Sequence, residues 1–230
     1  MPHQEALAAT APQLPPNAVA IHCWREVVAP KFEKYRRVFM DGASRHSDPV
    51  IEAMDLPEGA AILDVGCGWG DTTLALARRV GPGGRSVGID PVPGFLEHGE
   101  RLAHEEALSQ VSFVCGDAQT HGHAAPFDAL FARFGTMFFG APVPAMRHLA
   151  SQLRPGARAT LLTWRALDLN PWLGEAKAVA GRFLPPPPSS GITCGPGPFS
   201  MSDPLVVGEQ LRAAGFSSIS FEPGEKPRPL

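Results

Sequence analysis

The stretch from residue 62 to residue 71, Ile-Leu-Asp-Val-Gly-Cys-Gly-Trp-Gly-Asp, constrains the fold of this chain more than any other. It begins as a short apolar run and then has a glycine at every second position, at Gly66, Gly68 and Gly70. Residues 72–80 follow with helical periodicity. The pattern predicts a strand, a glycine turn and the start of a helix. Such a turn lets backbone N–H groups approach a ligand closely and points a helix N-terminus at it.

Strand and helix patterns alternate through residues 61–163, and this alternation predicts the fold class. Strands separated by helices favour a doubly wound, mostly parallel α/β sheet with helices on both faces. Ligands on such sheets bind at the carboxyl ends of the strands, where we therefore expect the functional residues. The predicted strands are 61–65, 85–90, 111–115, 127–132 and 157–163, and the predicted helices are 72–80, 94–107 and 142–153.

The chain is predicted to form one domain with four parts. These are a helical cap at 1–56, a core at 57–165, a lid or insertion at 166–202, and a C-terminal helix and strand at 203–230. In the cap, Pro30 divides one helical stretch and Ser47-Asp48-Pro49 begins another helix. In the last part, a helix at 203–214 precedes a final strand at 217–221.

Composition and charge exclude several classes of protein. A chain of 230 residues suits one domain that buries roughly 70% of its unfolded surface. The net charge of −3 gives no reason to expect nucleic acid or an anionic membrane as a main partner. The sequence has no apolar run of about 18 residues and no signal-peptide pattern, so no membrane span and no export are predicted.

The four cysteines are predicted to be free thiols. Cys23, Cys67, Cys115 and Cys194 show neither metal-binding nor disulfide-like spacing. Free thiols are typical of a reducing compartment, so we expect a cytoplasmic protein without a metal.

The glycine spacing distinguishes two kinds of nucleotide site. The dinucleotide fingerprint Gly-x-Gly-x-x-Gly requires glycine at the position of Asp71. A carboxylate there is unfavourable beside a pyrophosphate but is compatible with the ammonium group of an amino-acid moiety. The spacing therefore favours a nucleoside cofactor with a zwitterionic end over a nicotinamide dinucleotide.

Two further carboxylates lie at predicted strand ends. Asp64 precedes the glycine turn, where it can orient the turn or receive an ammonium group. Asp90 ends the second strand, where its carboxylate can accept hydrogen bonds from both ribose hydroxyls. The alternative is purely structural: Asp64 stabilises the turn and Asp90 caps a strand end.

Residues 62–154 resemble a class I S-adenosylmethionine-dependent methyltransferase. Within that class they are most similar to the ubiquinone/menaquinone-biosynthesis C-methyltransferases. The resemblance implies a Rossmann-like fold, S-adenosylmethionine as cofactor, and methyl transfer to a small molecule. Members of this family act on very different acceptors. The similar segments are 62–70, 88–90, 116–119, 127–156 (133–139 above all) and 170–172.

The resemblance also assigns cofactor contacts by position. The glycine turn would line the methionine part, and Asp90 would hold the ribose hydroxyls. The loops after the second and third strands would recognise the adenine, although Asp117 can also be a plain turn residue. The end of the fourth strand would lie near the sulfonium. The candidate cofactor-binding residues are Asp64, Gly66, Cys67, Gly68, Gly70, Asp90, Pro91, Asp117, Ala118, Gln119, Arg133 and Phe134.

Methyl transfer depends chiefly on holding the acceptor in line with the methyl group, so strong acids and bases are optional. His121, His123 and His148 are candidate bases for an O–H or N–H acceptor. An exposed structural position is the expected alternative for each, so no catalytic residue is assigned. His22 and Trp24 are candidates to cover the cofactor, or are simply packed in the first helix.

Apolar residues follow the fourth strand and suit an apolar or aromatic acceptor. Of Phe134, Met137, Phe138 and Phe139, half or more are expected in the core and the others at the crevice. The proline-rich stretch 184–199 is the predicted acceptor lid.

Two alternative functions stay open at this point. One is a nicotinamide-dependent oxidoreductase, and the other is a protein that binds the cofactor without turnover. Relatives generally finish with a further antiparallel strand, for which this sequence shows no pattern before Leu230. Because an uncovered sheet edge invites pairing with another chain, a homodimer is predicted.

Overall fold

The computed structural model describes residues 17–185 and 194–225. Parts of the predicted cap (1–16), lid (186–193) and tail (226–230) lie outside the described residues. Within those two ranges, none of the helices is long and apolar enough to cross a membrane. The same ranges contain no group of three or more His, Cys, Asp or Glu residues that could hold a metal ion.

Five parallel strands form one sheet in the order β3-β2-β1-β4-β5. Every residue of the central strand β1 is buried, which explains why all of its residues except Asp64 are apolar. The strand order reverses between β1 and β4, the position where ligands bind to sheets of this kind. The predicted doubly wound α/β fold is confirmed. The strands are β1 (Ala61–Val65), β2 (Arg85–Asp90), β3 (Val111–Cys115), β4 (Phe127–Arg133) and β5 (Leu153–Leu162).

Helices cover both faces of the sheet, because alternate side chains of each strand point to opposite faces. Ile62 and Phe131 pack with α3 and α4. Leu63 and Leu130 pack with α6 and α8. The helices are α1 (Ala18–Cys23), α2 (Ala29–Lys34), α3 (Arg36–Ala53), α4 (Asp71–Val80), α5 (Pro93–Glu105), α6 (Pro142–Ser151), α7 (Pro171–Ala180) and α8 (Pro204–Ala214), with a π-helical turn at Trp24–Val28 and 3-10 turns at Thr136–Phe138 and Leu167–Leu169.

The predicted helix start at Ser47-Asp48-Pro49 is wrong, since α3 continues through Pro49. Packing overrides the local break: Ile51, two residues beyond the proline, is only 3% exposed and belongs to the core with α4. The Ser47 hydroxyl also lies 3.4 Å from the carbonyl oxygens of Ala43 and Ser44, within the same helix.

Two predictions for the C-terminal half are also corrected. β5 begins at Leu153, so Arg154-Pro155-Gly156 lies inside the strand, where the pairing register with β4 shifts. The predicted final strand at 217–221 does not form. The segment is short, contains three serines and is followed by Pro223, so it has little apolar surface with which to dock. All strands in the described residues are therefore parallel, and β5 is an edge strand.

The prediction of four free thiols is wrong for one pair. Cys23 and Cys194 are joined in a disulfide with their Cα atoms 5.2 Å apart. The two cysteines are 171 positions apart in the sequence, so no local spacing signals their pairing. Cys67 and Cys115 are free, as predicted.

Candidate active site

The glycine turn after β1 requires glycine for two separate reasons. Gly66, Gly68 and Gly70 all have left-handed backbones, with φ of 68°, 54° and 84°. A Cβ at Gly66 would lie 3.0 Å from Gly135 Cα, and one at Gly70 would lie 2.7 Å from the Phe113 ring. A Cβ at Gly68 would have no atom within 4 Å. The open side of the turn is therefore at Gly68, where a ligand can reach the backbone.

Asp64 is completely buried beneath this turn. The hydroxyls of Thr72 and Thr73 donate to its Oδ2 at 2.7 and 2.6 Å, which joins the turn to the first turn of α4. Its Oδ1 has no hydrogen-bond partner among the described residues. Burial raises the pKa of Asp64 to about 6. Asp64 thus stabilises the turn and still has an acceptor oxygen that an ammonium group or a water can use.

Asp90, at the end of β2, orients the other side of the turn. Its Oδ2 accepts from the Gly68 N–H at 3.0 Å, and its Oδ1 accepts from the Val92 N–H at 2.9 Å. Burial raises the pKa of Asp90 to about 6. The pKa of the Cys67 thiol is also raised, first by its burial and then by the nearby charge of Asp90. Each carboxylate oxygen can accept a second hydrogen bond, so both oxygens can also bind hydroxyls.

The loops after β2 and β3 are held by side chains of the cap. Asn17 Nδ2 donates to Asp117 Oδ2 at 2.7 Å. Arg25 Nε donates to the carbonyl of Pro91 at 2.6 Å. The backbone and side chain of Gln119 donate to the other oxygen of Asp117, at 2.9 and 3.3 Å. The predicted adenine-binding residues, with the buried Ala118 between them, therefore form one cluster covered by α1 and the turn after it.

Arg133, at the end of β4, makes a bidentate ion pair with Asp71. Its Nη1 and Nη2 each lie 2.7 Å from one carboxylate oxygen, and Nη1 also donates to Ser47 Oγ at 3.0 Å. The two side chains are only 10% and 18% exposed. Arg133 therefore compensates the charge of Asp71, which weakens the sequence argument that Asp71 repels a pyrophosphate. No sequence pattern signals this pairing.

An aromatic cluster continues from the end of β4. Phe134 has a left-handed backbone with φ of 60°, and its ring stacks on Trp164 at 4.2 Å. The rings of His46 and Trp172 pack against Trp164 at 5.4 and 5.8 Å. Since Phe134 precedes Gly135, which contacts Gly66, this cluster of His46, Phe134, Trp164 and Trp172 adjoins the glycine turn. Sequence reasoning missed His46 and Trp164 because neither belongs to a motif.

The candidate bases named from the sequence lie outside this cluster. The His123 ring packs 5.1 Å from Phe127, the first residue of β4, and so lies at the opposite end of that strand from the glycine turn. Burial lowers the pKa of His123 to about 4. His148 Nε2 is 2.8 Å from the carbonyl oxygen of His121. The expectation that half or more of the apolar residues lie in the core is confirmed, since Met137 and Phe139 are buried. Phe134 and Phe138 are partly exposed, and the prediction that they face an acceptor crevice stays a prediction.

Comparisons with known proteins show that this chain is similar to methyltransferases. A family model described as a methyltransferase domain matches residues 62–156. The chain is 34% identical over 181 residues to the nocamycin O-methyltransferase of Saccharothrix syringae, covering 74% of this chain and 64% of that protein. It is 28% identical over 209 residues to the ubiquinone/menaquinone biosynthesis C-methyltransferase of Bradyrhizobium diazoefficiens, covering 85% of this chain and 82% of that protein.

A solved structure is similar in fold alone. The crystal structure of a SAM-dependent methyltransferase from Aquifex aeolicus matches with a TM-score of 0.54 and 20% identity, covering 73% of this chain and 78% of that chain. The chain spans about half the length of most curated relatives that it matches, from 46% to 64% for five of them.

Proposed function

We propose that residues 62–156 belong to the class I S-adenosylmethionine-dependent methyltransferases. On this premise, the protein transfers a methyl group from S-adenosylmethionine to a small molecule. One observation carries the proposal. Asp64 lies completely buried beneath the glycine turn, with one carboxylate oxygen that has no partner in the described residues. A buried acceptor of this kind is costly unless something donates to it, and the ammonium group of the cofactor suits it.

The remaining cofactor contacts are proposed from the side chains around the turn. Asp90 has acceptor capacity left on both oxygens, which suits the two ribose hydroxyls. Pro91 and Asp117 lie together under the cap, where Asp117 is already accepting from an amide NH₂ group. An adenine amino group is the same kind of donor. The residues present therefore fit the cofactor.

When bound, S-adenosylmethionine supplies an electrophilic methyl group. The protein's part is then to orient the two reactants and to exclude water. We propose that the glycine turn fixes the donor side and that the end of β4 fixes the acceptor side. Arg133 contributes by tying β4 to α3 and α4 through Asp71 and Ser47.

We propose a flat, apolar or aromatic acceptor. The stacked rings of Phe134 and Trp164, with His46 and Trp172 beside them, present a surface on which a planar molecule can stack. The names of two relatives, one referring to nocamycin and the other to ubiquinone and menaquinone biosynthesis, support a small-molecule acceptor.

Two measurements test the proposed function. Calorimetry should detect S-adenosylmethionine and S-adenosylhomocysteine but not NAD⁺; binding of NAD⁺ alone would instead support an oxidoreductase. A mass-spectrometric screen of a metabolite extract should then find products that have gained one methyl group. If the cofactor binds and no product forms, the protein binds the cofactor without turnover.

Further proposals concern the lid, the partner and the compartment. We propose that residues 166–202 cover the acceptor, since Ser200 Oγ donates to the carbonyl of Met137 at 2.5 Å and thereby holds this segment against the end of β4. We also propose a homodimer and a cytoplasmic location; in that reducing compartment the disulfide between Cys23 and Cys194 would form only under oxidising conditions. Fluorescent tagging in the source cell would test the location.

A further inference from the structure

The cap is attached to every loop that surrounds the proposed cofactor site. Each attachment is a side-chain hydrogen bond between α1–α3 or the turn after α1 and a loop at the carboxyl ends of the strands. Movement of the cap away from these loops would require these bonds to open. The bonds are Asn17 Nδ2 to Asp117 Oδ2 at 2.7 Å, Arg25 Nε to the Pro91 carbonyl at 2.6 Å, and Trp69 Nε1 to Glu33 Oε2 at 2.8 Å.

The disulfide adds a covalent attachment between the cap and the predicted lid. Cys23 ends α1 and is 2% exposed, and Cys194 lies within the predicted lid. The neighbouring Trp24 donates through Nε1 to the carbonyl of Cys194 at 3.1 Å, and its ring packs 4.8 Å from Phe138. The bond therefore joins α1 to a segment that is itself packed on the 3-10 turn after β4.

α1 is the first part of a continuous helical stretch that runs through the π-helical turn into α2. The only buried residue of α1 is Cys23, so the disulfide joins the buried point of this helix to Cys194. Asn17, at its N-cap, donates to the carboxylate that is proposed to accept the adenine amino group, so a movement of α1 would disturb the surroundings of that carboxylate.

We propose that Cys23 and Cys194 form a reversible thiol-oxidation site whose disulfide keeps the cap closed and slows the exchange of the cofactor. This inference rests on the proposed cofactor site. The oxidised protein retains bound cofactor or product, and the reduced protein exchanges it freely.

The chemistry requires a low-molecular-weight disulfide as oxidant. The thiolate of Cys194, the more exposed of the two, attacks one sulfur of that disulfide, forms a mixed disulfide and releases one thiol. The Cys23 thiolate then attacks the sulfur of Cys194, which forms the protein disulfide and releases the second thiol. The two protons lost by the cysteines end on the two released thiols. A dithiol reductant reverses both steps.

The test compares one protein in two redox states. The full chain is treated with glutathione disulfide or with dithiothreitol, and the bond is verified by mass spectrometry of the linked peptides after alkylation. Dissociation of S-adenosylhomocysteine is then followed by stopped-flow tryptophan fluorescence. We expect dissociation to be about tenfold slower in the oxidised protein, because the bond restrains the cap and raises its effective concentration near the loops that it contacts.

Variants separate this role from a general effect of oxidation. Cys23→Ser and Cys194→Ser should both dissociate at the rate of the reduced protein in either state. Cys115→Ser should keep the full difference between the states, since its thiol is outside the bond. Equal rates in the two states, with the bond verified, would overturn the proposal.

A second measurement does not need a cofactor. Amide hydrogen exchange in residues 17–34 should be slower in the oxidised protein, and equal exchange would also overturn the proposal. One further outcome is that amide exchange responds to oxidation but neither redox state binds S-adenosylhomocysteine. In that case the disulfide does control the cap, and the proposed cofactor site is wrong.

Discussion

Asp64 and Asp90 lie on the two sides of the glycine turn, and neither forms a salt bridge in the described residues. Hydrogen bonds from hydroxyl and backbone N–H groups compensate in part for the burial of the two carboxylates. Desolvation nevertheless raises the pKa of each to about 6. Two buried acids that titrate near neutrality are typical of a functional site, where binding of a donor ligand restores the missing solvation.

Replacement of Asp90 by alanine tests the ribose contact. We expect Asp90→Ala to weaken the binding of S-adenosylhomocysteine by more than about tenfold, since each lost charge-assisted hydrogen bond contributes roughly 1.5–3 kcal/mol. Calorimetry measures the affinity, and circular dichroism should show an intact fold. Asp55→Ala, a change at an exposed acid, is the control. An affinity unchanged from the wild type would remove the proposed role.

The raised pKa values also predict opposite pH trends for binding and for folding. Binding needs ionised acceptors, so affinity for S-adenosylhomocysteine should fall between about pH 7.5 and about pH 5. The contribution of these two acids to the stability of the fold should change with pH in the opposite direction. Because the folded state binds these protons more tightly than the unfolded chain, their contribution to stability is full below about pH 4 and is lost as the pH rises through about 6.

Calorimetry at several pH values checks the first trend. Asp90→Asn, which cannot ionise at this position, should bind more weakly and with a flatter pH profile than the wild type. A wild-type affinity that does not change across this range would contradict the assignment of the acids to the site.

At the scale of elements, the ion pair between Arg133 and Asp71 joins β4, α4 and, through Ser47, α3. We expect Arg133→Met to destabilise the fold by about 2 kcal/mol, because it leaves a mostly buried carboxylate without its partner. Urea denaturation measures the change. The double variant with Asp71→Asn should recover much of the loss.

The exposed pair Arg37–Asp41, with side chains 95% and 69% exposed, is the matched control. Arg37→Met should change stability by less than about 0.5 kcal/mol. Equal effects at the two arginines would mean that burial of the Arg133 pair contributes nothing.

The predicted lid is a second element that can be tested. Deletion of residues 185–195 should lower turnover more than cofactor affinity if the segment covers the acceptor. The deletion also removes Cys194, so Cys194→Ser is needed to separate loss of the loop from loss of the disulfide. An equal decrease in both properties, beyond that of the control, would contradict a lid.

The elements differ in how well the sequence predicts them. The bounds of β1–β3 are predicted correctly because each is a short stretch of β-forming residues between turn signals, and the glycine turn and its acids follow from their spacing. Tertiary contacts decide the rest. The passage of α3 through Pro49 depends on the burial of Ile51, and the pairing of Cys23 with Cys194 depends on two segments meeting in space.

At the scale of the whole molecule, the sheet is uncovered at β5. No further strand pairs with β5 in residues 17–185 and 194–225, so its outer N–H and C=O groups are available to another chain. We expect a homodimer through this edge, measured by light scattering coupled to size-exclusion chromatography. A monodisperse monomer at high protein concentration would refute it.

The contact between Gly66 and Gly135 has a consequence for how the family can diverge. Two backbones meet there with no room for a side chain on either, so the gap between the donor side and the acceptor side is set by atomic radii alone. On the proposed assignment of the two sides, substitutions at His46, Trp164 and Trp172 would change the surface offered to the acceptor, while the contact between Gly66 and Gly135 would keep the spacing of the two loops.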